Sequence, residues 1–364
     1  MSTTAIADAL PVVISASIAY DHIMAFGGSF ADHIIPEKTH VISVSFLVDS
    51  LQKQRGGIGG NIAYNLALLG TRSTLVGAVG ADFGPYREEF ERLGIRLCVV
   101  EDPTQLTAAS FMMADRKDNQ IASFFPGPSD RAAEIVVTEL AARAEYAILG
   151  ATSPNVMRLH AEQFGQSGCR FIYDPAFQII ILSPEDLLAG INVAWGLVGN
   201  DYEFAMIERK TGLTIEDLAS RVPLLAITYG EEGSELRYEG RRARIPAAPA
   251  REVKDPTGAG DAYRAGLIKG FLLGLELEVV GRLAGLAATY AVEQIGTQAH
   301  HYTPQEFVER FNGAFPDYAG AITVDQFVAW EGPDDHGLTA SSHRNAGQSG
   351  SASLAGASVQ APAS

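Results

Sequence analysis

Between residues 131 and 199, helical and strand-like apolar patterns alternate, and no other feature constrains the fold so tightly. The pattern predicts helix 131–142, strand 146–150, helix 154–164, strand 169–173, helix 184–189 and strand 193–199. Each strand is a short, continuous apolar run, so both of its faces must be covered. Strands that alternate with helices pair in parallel, because a helical crossover returns the chain to the same end of the sheet. The predicted fold class is therefore α/β, a doubly wound and mostly parallel central sheet flanked by helices. Apolar runs at 11–19, 74–80 and 224–228 supply further strands, and a hairpin spans 234–244. Ligands of such sheets gather beyond the carboxyl ends of the strands.

The chemistry concentrates in Lys254-Asp255-Pro256-Thr257-Gly258-Ala259-Gly260-Asp261, which opens directly into a helical pattern. A proline and two glycines forbid regular structure, so a tight turn must lead straight into a helix N-terminus. The first N–H groups of that helix have no internal partner and carry the positive end of its dipole, which suits an anion. Asp261 falls in the same first turn. A carboxylate beside a phosphate site is best used to take the proton of a hydroxyl that attacks the phosphate. Read singly, Asp261 is a helix cap and the glycines are turn residues.

Three other stretches have the same double character. Gly56-Gly57-Ile58-Gly59-Gly60-Asn61 leads into helix 62–69, where Asn61 is either a cap or a ligand-gripping amide. Asn200-Asp201-Tyr202-Glu203 follows a strand; Asn and Glu three apart share one helix face and form either a capping box or an outer-sphere Mg²⁺ acceptor set. Thr228, Gly230 and Gly233 close the strand 224–228 in a Thr-x-Gly-x-x-Gly turn. Asp21, after the first apolar run, is a turn residue or a carboxylate able to accept two hydrogen bonds from a vicinal diol.

The string Asp255-Pro-Thr-Gly-Ala-Gly-Asp261 closely resembles the C-terminal signature of the ribokinase, or PfkB, family of sugar and nucleoside kinases. The Gly-Gly-x-x-x-Asn element at Gly57–Asn61, Asn-x-x-Glu at 200–203 and Thr-x-Gly-x-x-Gly at 228–233 are similar to the family's other motifs, in order, over roughly residues 11–305. The resemblance implies an anion hole at Gly258, Ala259 and Gly260 with Asp261 as catalytic base, and sugar contacts at Asp21, Gly57 and Asn61. It also implies ATP contacts at Asn200, Glu203, Thr228, Gly230 and Gly233, Mg²⁺ held through water near Glu203, and Asp255 and Thr257, with the loop at 296–298, as candidate ligands of a monovalent cation such as K⁺. The hairpin 108–125 looks like that of the bacterial adenosine-kinase-like branch, and its Phe124 and Phe125 are read either as base-stacking or as packing residues. Gly150 to Pro154 lacks the acidic residue that free-ribose kinases carry there. The activity implied is phosphorylation of a 5′-hydroxyl, adenosine first; a sugar kinase acting on ribose, fructose or a related hexose, and a catalytically silent binder, are the alternatives.

The remaining expectations concern organisation. The 364 residues predict one kinase domain over 11–332, and a Gly/Ser/Ala-rich tail at 333–364 too poor in apolar residues to order itself. Runs at 23–26 and 41–48, with the hairpin, predict a small sheet standing off the core over about 22–55 and 108–125, read as a lid; the other reading extends the main sheet. A net charge of −16 argues against nucleic-acid or anionic-membrane partners and for small molecules. Cys98 and Cys169 lie in apolar, strand-like runs and are no disulfide framework, and no basic segment precedes the apolar run at 11–14, so the expectation is a cytoplasmic protein. Lid strands of the resembling family pair across a dimer in some members and cap a monomer in others, so the resemblance implies a monomer or homodimer. A Walker A loop and a dinucleotide fingerprint are both missing, which argues against the classes they mark.

Overall fold

In a computed structural model, residues 11–34, 43–117 and 119–328 are described. Their strands form two sheets. The larger has nine strands in the order β13-β12-β11-β10-β9-β8-β1-β4-β5. Its parallel members are β1 (Val12–Ser15), β4 (Ser73–Gly80), β5 (Arg96–Asp102), β8 (Tyr146–Leu149), β9 (Arg170–Tyr173), β10 (Gly196–Asn200) and β11 (Leu224–Thr228). The hairpin β12 (Ser234–Tyr238) and β13 (Arg241–Ile245) adds antiparallel strands at one edge. The smaller sheet is β3-β2-β6-β7, built from β2 (Ala19–Phe26), β3 (Ser50–Gly56), β6 (Ala108–Asp115) and β7 (Gln120–Phe125).

The α-helices are α1 (Ile58–Leu68), α2 (Gly84–Arg92), α3 (Thr138–Ala141), α4 (Pro154–Ser167), α5 (Pro184–Val193), α6 (Asp201–Thr211), α7 (Ile215–Arg221), α8 (Ala259–Leu272), α9 (Leu277–Val292) and α10 (Pro304–Ala314). Alternate residues of each central strand serve opposite cores. Val12, Ile14, Tyr146 and Ile148 pack with residues of α1, α8 and α9, whereas Val13, Ala147 and Leu149 pack with residues of α4 and α5. Helices α8 and α9 lie close: a Cβ on Gly266 would come within 2.6 Å of the Ala284 Cα. The doubly wound class expected from the alternation is the class observed. Among the described residues no helix is long and apolar enough to cross a membrane.

Several boundaries differ from expectation. The apolar run at 11–19 is not one strand. It breaks after Ser15, and Asp21 lies inside β2 of the smaller sheet instead of at the end of β1. At the break Ser17 turns its carbonyl and hydroxyl toward the start of α1, accepting from the Gly59 and Ile58 N–H groups at 2.9 and 3.1 Å. Both halves of the run are buried, so hydrophobicity carries no trace of the bend.

The smaller sheet stands apart from the larger one as expected, but its outer strand is Ser50–Gly56 rather than 41–48. Residues 43–48 form no strand; 41 and 42 lie outside the described residues. The apolar side chains there signalled packing, since Phe46 contacts Phe26 and Phe30 at 5.1 and 5.0 Å between ring centroids. Strand β3 is a mostly exposed, polar edge and has no alternation to read. The helix expected at 131–142 is a 3₁₀ turn, Ser129–Glu134, then the single turn of α3; Ile135 between them is extended. The strand expected from 193 begins at Gly196, because α5 runs on to Val193. The apolar, strand-like run around Cys98 is edge strand β5, and the tail at 333–364 lies outside the described residues.

Candidate active site

The turn at 255–258 is held by Asp255, whose two carboxylate oxygens accept from the backbone N–H groups of Thr257 (2.9 Å) and Gly296 (3.0 Å). That double tether fixes the approach to α8. Gly258 then takes a left-handed conformation, φ +82°, as the residue that starts the helix, which a residue with a Cβ adopts only with strain. Ala259, Gly260 and Asp261 make up the first turn, with their N–H groups free of intrahelical partners.

Asp261 is 9% exposed, and its Oδ2 accepts from Asn61 Nδ2 at 2.8 Å. Burial pushes its carboxyl up to about 7; Arg264 and the Asn61 hydrogen bond act against the shift, and Asp174 and Asp21 reinforce it. Asp21 reaches the same region from β2, and its Oδ1 accepts from Ser110 Oγ of β6 at 2.6 Å. Burial raises the Asp21 carboxyl as well. Gly57, φ +83°, starts α1 and presents Asn61 inside its first turn. Asp21, Asn61 and Asp261 are thus brought together.

Asn200 and Glu203 form a capping box on α6, each accepting from the other's backbone N–H at 2.8 Å. Glu203 also faces Arg264, with its Oε2 4.0 Å from Nη2, and burial raises its carboxyl. In register Asn200 is paired with Thr228, so Thr228 ends the neighbouring parallel strand beside it. Gly230 (φ +57°) and Gly233 (φ +91°) shape the turn after Thr228. From there Ser234 Oγ accepts from the Tyr263 hydroxyl at 2.8 Å, which ties this turn to α8. No described contact places Thr228, Gly230 or Gly233 against Asp261 itself.

The donor set also bears on the expected cations. Among the described residues no three His, Cys, Asp or Glu side chains converge as a metal cage. One oxygen of Glu203 is committed to Asn200, which leaves acceptor capacity suited to a hydrated Mg²⁺ rather than to direct ligation. Asp255 and Thr257 lie together, with Asp255 already engaged by two N–H groups.

The sequence left Asp174 and Arg264 without roles, and the structure makes them partners. Arg264 Nη2 donates to Asp174 Oδ1 at 2.7 Å, Nε touches Asp174 Oδ2, and both residues are buried. The only signal was a lone charge at each of two apolar positions: Asp174 after a buried strand, Arg264 within an apolar helix. Gln298, expected only as part of the cation loop at 296–298, reaches the site instead: its Nε2 donates to Asn61 Oδ1 at 3.0 Å. Asp82, just before α2, accepts from the Thr107 N–H at 2.8 Å and pairs with Lys53 at 3.4 Å.

Known proteins carry the same scaffold. The chain is 33% identical over 301 residues to a nucleoside kinase of Methanothermobacter thermautotrophicus, covering 79% of this chain and 95% of that one. A nucleoside kinase of Burkholderia thailandensis, solved in complex with inosine, superposes with a TM-score of 0.75 at 36% identity, over 84% of this chain and 98% of that one. A ribokinase-family nucleoside kinase of Methanocaldococcus jannaschii gives a TM-score of 0.73 at 27% identity, over 84% and 99%. The sequence profile described as pfkB family carbohydrate kinase matches residues 21–304, a stretch that runs from Asp21 through Asp261 and Gln298, and the chain belongs to that family.

Proposed function

We propose that this kinase transfers the γ-phosphoryl group of ATP to the 5′-hydroxyl of a nucleoside, adenosine first. The observation that carries the reading is Asp261: a buried carboxylate poised near neutrality, in the first turn of a helix where the Ala259 N–H donates to the Pro256 carbonyl at 3.2 Å and those of Gly260 and Asp261 have no described backbone partner. As the hydroxyl oxygen attacks phosphorus, its proton passes to Asp261, the bond from phosphorus to the bridging oxygen of ADP breaks, and ADP leaves with the electron pair. The N–H groups at Gly258, Ala259 and Gly260 take the charge on the equatorial phosphoryl oxygens. Asp21 and Asn61 orient the ribose, and Thr228, Gly230 and Gly233 border ATP. Glu203 and Asn200 would hold hydrated Mg²⁺, which neutralises phosphate charge when bound.

Two features favour a nucleoside over a free sugar. The loop at 150–154 has no carboxylate for a sugar's first carbon. Strand register also sets Phe124 on the same face of the smaller sheet as Asp21 and Ser110, while Phe125 points to the opposite face. Phe124 lies 6.3 Å from Phe177 between ring centroids, and both are 48% exposed, so the pair offers aromatic surface to a base. In this reading the smaller sheet is a lid that closes over the nucleoside and excludes water, a competing acceptor. The Burkholderia relative was also solved with ADP and inosine, which makes inosine the second acceptor to try.

The test is ADP release from Mg-ATP with adenosine, inosine, other nucleosides, ribose and fructose, on the wild type and on Asp261→Asn. Turnover of a nucleoside that collapses in the variant supports the reading. Turnover of a sugar alone makes the protein a sugar kinase, and nucleoside binding without any ADP makes it a silent binder.

A further inference from the structure

The carboxylate of Asp261 is the last member of a hydrogen-bond chain that begins at a backbone carbonyl. The Tyr86 hydroxyl donates to the Gly56 carbonyl at 2.8 Å; Gln298 Nε2 donates to Tyr86 Oη at 2.7 Å and to Asn61 Oδ1 at 3.0 Å; and Asn61 Nδ2 donates to Asp261 Oδ2 at 2.8 Å. The direction of this chain is forced. A carbonyl only accepts, so the single proton of Tyr86 is committed to Gly56, and Tyr86 Oη must then accept from its other neighbour. Gln298 can meet that demand only with its NH₂ group, which leaves Gln298 Oε1 buried and without a hydrogen-bond partner. The same NH₂ group presses on Asn61 and requires its carbonyl side, which turns the Asn61 NH₂ toward the carboxylate.

The packing around the chain agrees with this polarity. Tyr86 is fully buried, and Asn61, Asp261 and Gln298 are each exposed by 9% or less, so the members of the chain satisfy one another more than they do solvent. A Cβ on Gly60 would overlap the Tyr86 hydroxyl, so the glycine pair before Asn61 is what lets the tyrosine come this close. The Asn61 backbone is fixed separately, its carbonyl accepting from Asn65 Nδ2 at 2.9 Å.

We propose that Gln298 and Tyr86 are positioning residues that fix the amide of Asn61 in the one orientation that donates to Asp261. The proposal rests on the reading of Asp261 as the base, and it deepens that reading: without the lock, Asn61 turns its carbonyl to the carboxylate part of the time and the carboxylate loses its neutral donor. The charged groups that face Asp261 are Arg264 on its own helix α8 and, from other elements, Asp174 after β9 and Asp21 on β2, with Glu203 of α6 beyond Arg264. None of them contacts Gln298 or Tyr86 through a described hydrogen bond or ion pair, so substitutions in the lock leave that charge set in place.

The experiment uses Tyr86→Phe, which keeps the ring, and Gln298→Leu, with two readouts on the full chain. One is the pH profile of kcat/KM for adenosine with Mg-ATP. The other is the carboxyl ¹³C titration of Asp261, assigned by its loss in Asp261→Asn. In both variants the acid limb and the carboxyl midpoint are expected to move up together by about one pH unit, with kcat/KM at neutral pH down roughly fivefold to tenfold. Activity lost equally at all pH values with an unmoved carboxyl midpoint would show a merely structural role, and unchanged activity and midpoint would show no lock; either overturns the proposal. A wild type that turns over no acceptor defeats the kinase reading by itself, and the ¹³C titration then still decides the lock.

Discussion

Arg264 and Asp174, ninety residues apart in the chain, form a buried ion pair at the end of β9, and Arg264 stands one helical turn after Asp261. The pair keeps a guanidinium within electrostatic reach of Asp261, and it anchors the second turn of α8 to the carboxyl edge of the sheet. Burial works against the Arg264 charge, and Asp174, together with Asp261 and Glu203, more than offsets this.

Removing one partner leaves a buried charge alone, which costs about 3–5 kcal/mol. Arg264→Met should therefore destabilise the protein by that order in urea unfolding. The double change with Asp174→Asn should recover a substantial part of the loss, because the fully buried Asp174 charge is then no longer left without its partner. Additive losses in the double-mutant cycle would mean that the two residues act independently.

In the proposed reading Asp261→Asn removes the proton acceptor and little volume. Loss of general-base assistance lowers kcat by about 10²–10⁴-fold, while the KM for the nucleoside should change far less, because Asn61 and Asp21 remain. In the wild type kcat/KM should fall as pH drops through about 7, since only the ionised carboxylate accepts a proton. Equal rates for wild type and variant would remove Asp261 from the chemistry.

The same residue predicts a stability trend of opposite sense. The folded state holds the Asp261 carboxyl at about 7, above its ordinary value of 3.8, so the folded state binds more protons than the unfolded chain between those values. Stability contributed by this group is therefore full below about pH 4 and is lost as pH rises through 7. The Tm of Asp261→Asn relative to wild type should rise from pH 5 to pH 8; a constant difference across that range would contradict the buried, proton-retaining carboxylate.

How much of this was legible in the chain depends on which side chains carried a local signal. The parallel sheet was legible because strands such as Tyr146–Leu149 are buried on both faces and read as apolar throughout. Strand β3 was not, because an edge strand of Ser, Gln, Lys and Arg satisfies only its backbone and shows no hydrophobic period. The turn at 255–261 was legible because glycine and proline constrain the backbone wherever they stand. Asp21 was recognised as a candidate but placed on the wrong strand, since the bend at Ser17 lies within continuous burial. The partnership of Arg264 with Asp174 and the orientation of Gln298 toward Asn61 were illegible, because a pairing across 90 or 237 residues leaves no mark on either local sequence.

The close approach of Gly56 to Asp21 offers a test of substrate contact. A Cβ at Gly56 would overlap Asp21 Oδ2, so Gly56→Ala should displace the carboxylate that accepts from Ser110. Asp21 is assigned to ribose binding in both ground and transition states, so the expected effect is a KM for adenosine raised about tenfold, with kcat changed much less. A fall in kcat with an unchanged KM would instead place Asp21 in the chemical step.

Phe124 and Phe125 separate base recognition from packing, because adjacent strand residues point to opposite faces and only Phe124 shares its face with Asp21. Stacking on a base is worth about 1–3 kcal/mol by truncation to alanine. Phe124→Ala should therefore raise the KM for adenosine and inosine by roughly fivefold to a hundredfold. Phe125→Ala, on the far face, should leave both constants close to wild type. If free ribose is turned over at all, its KM should be the same in Phe124→Ala as in wild type, since it has no base to stack. A nucleoside KM that responds to Phe125→Ala and not to Phe124→Ala would mean that the base lies on the other side of the smaller sheet, and the assignment of Asp21 to the ribose would fall with it.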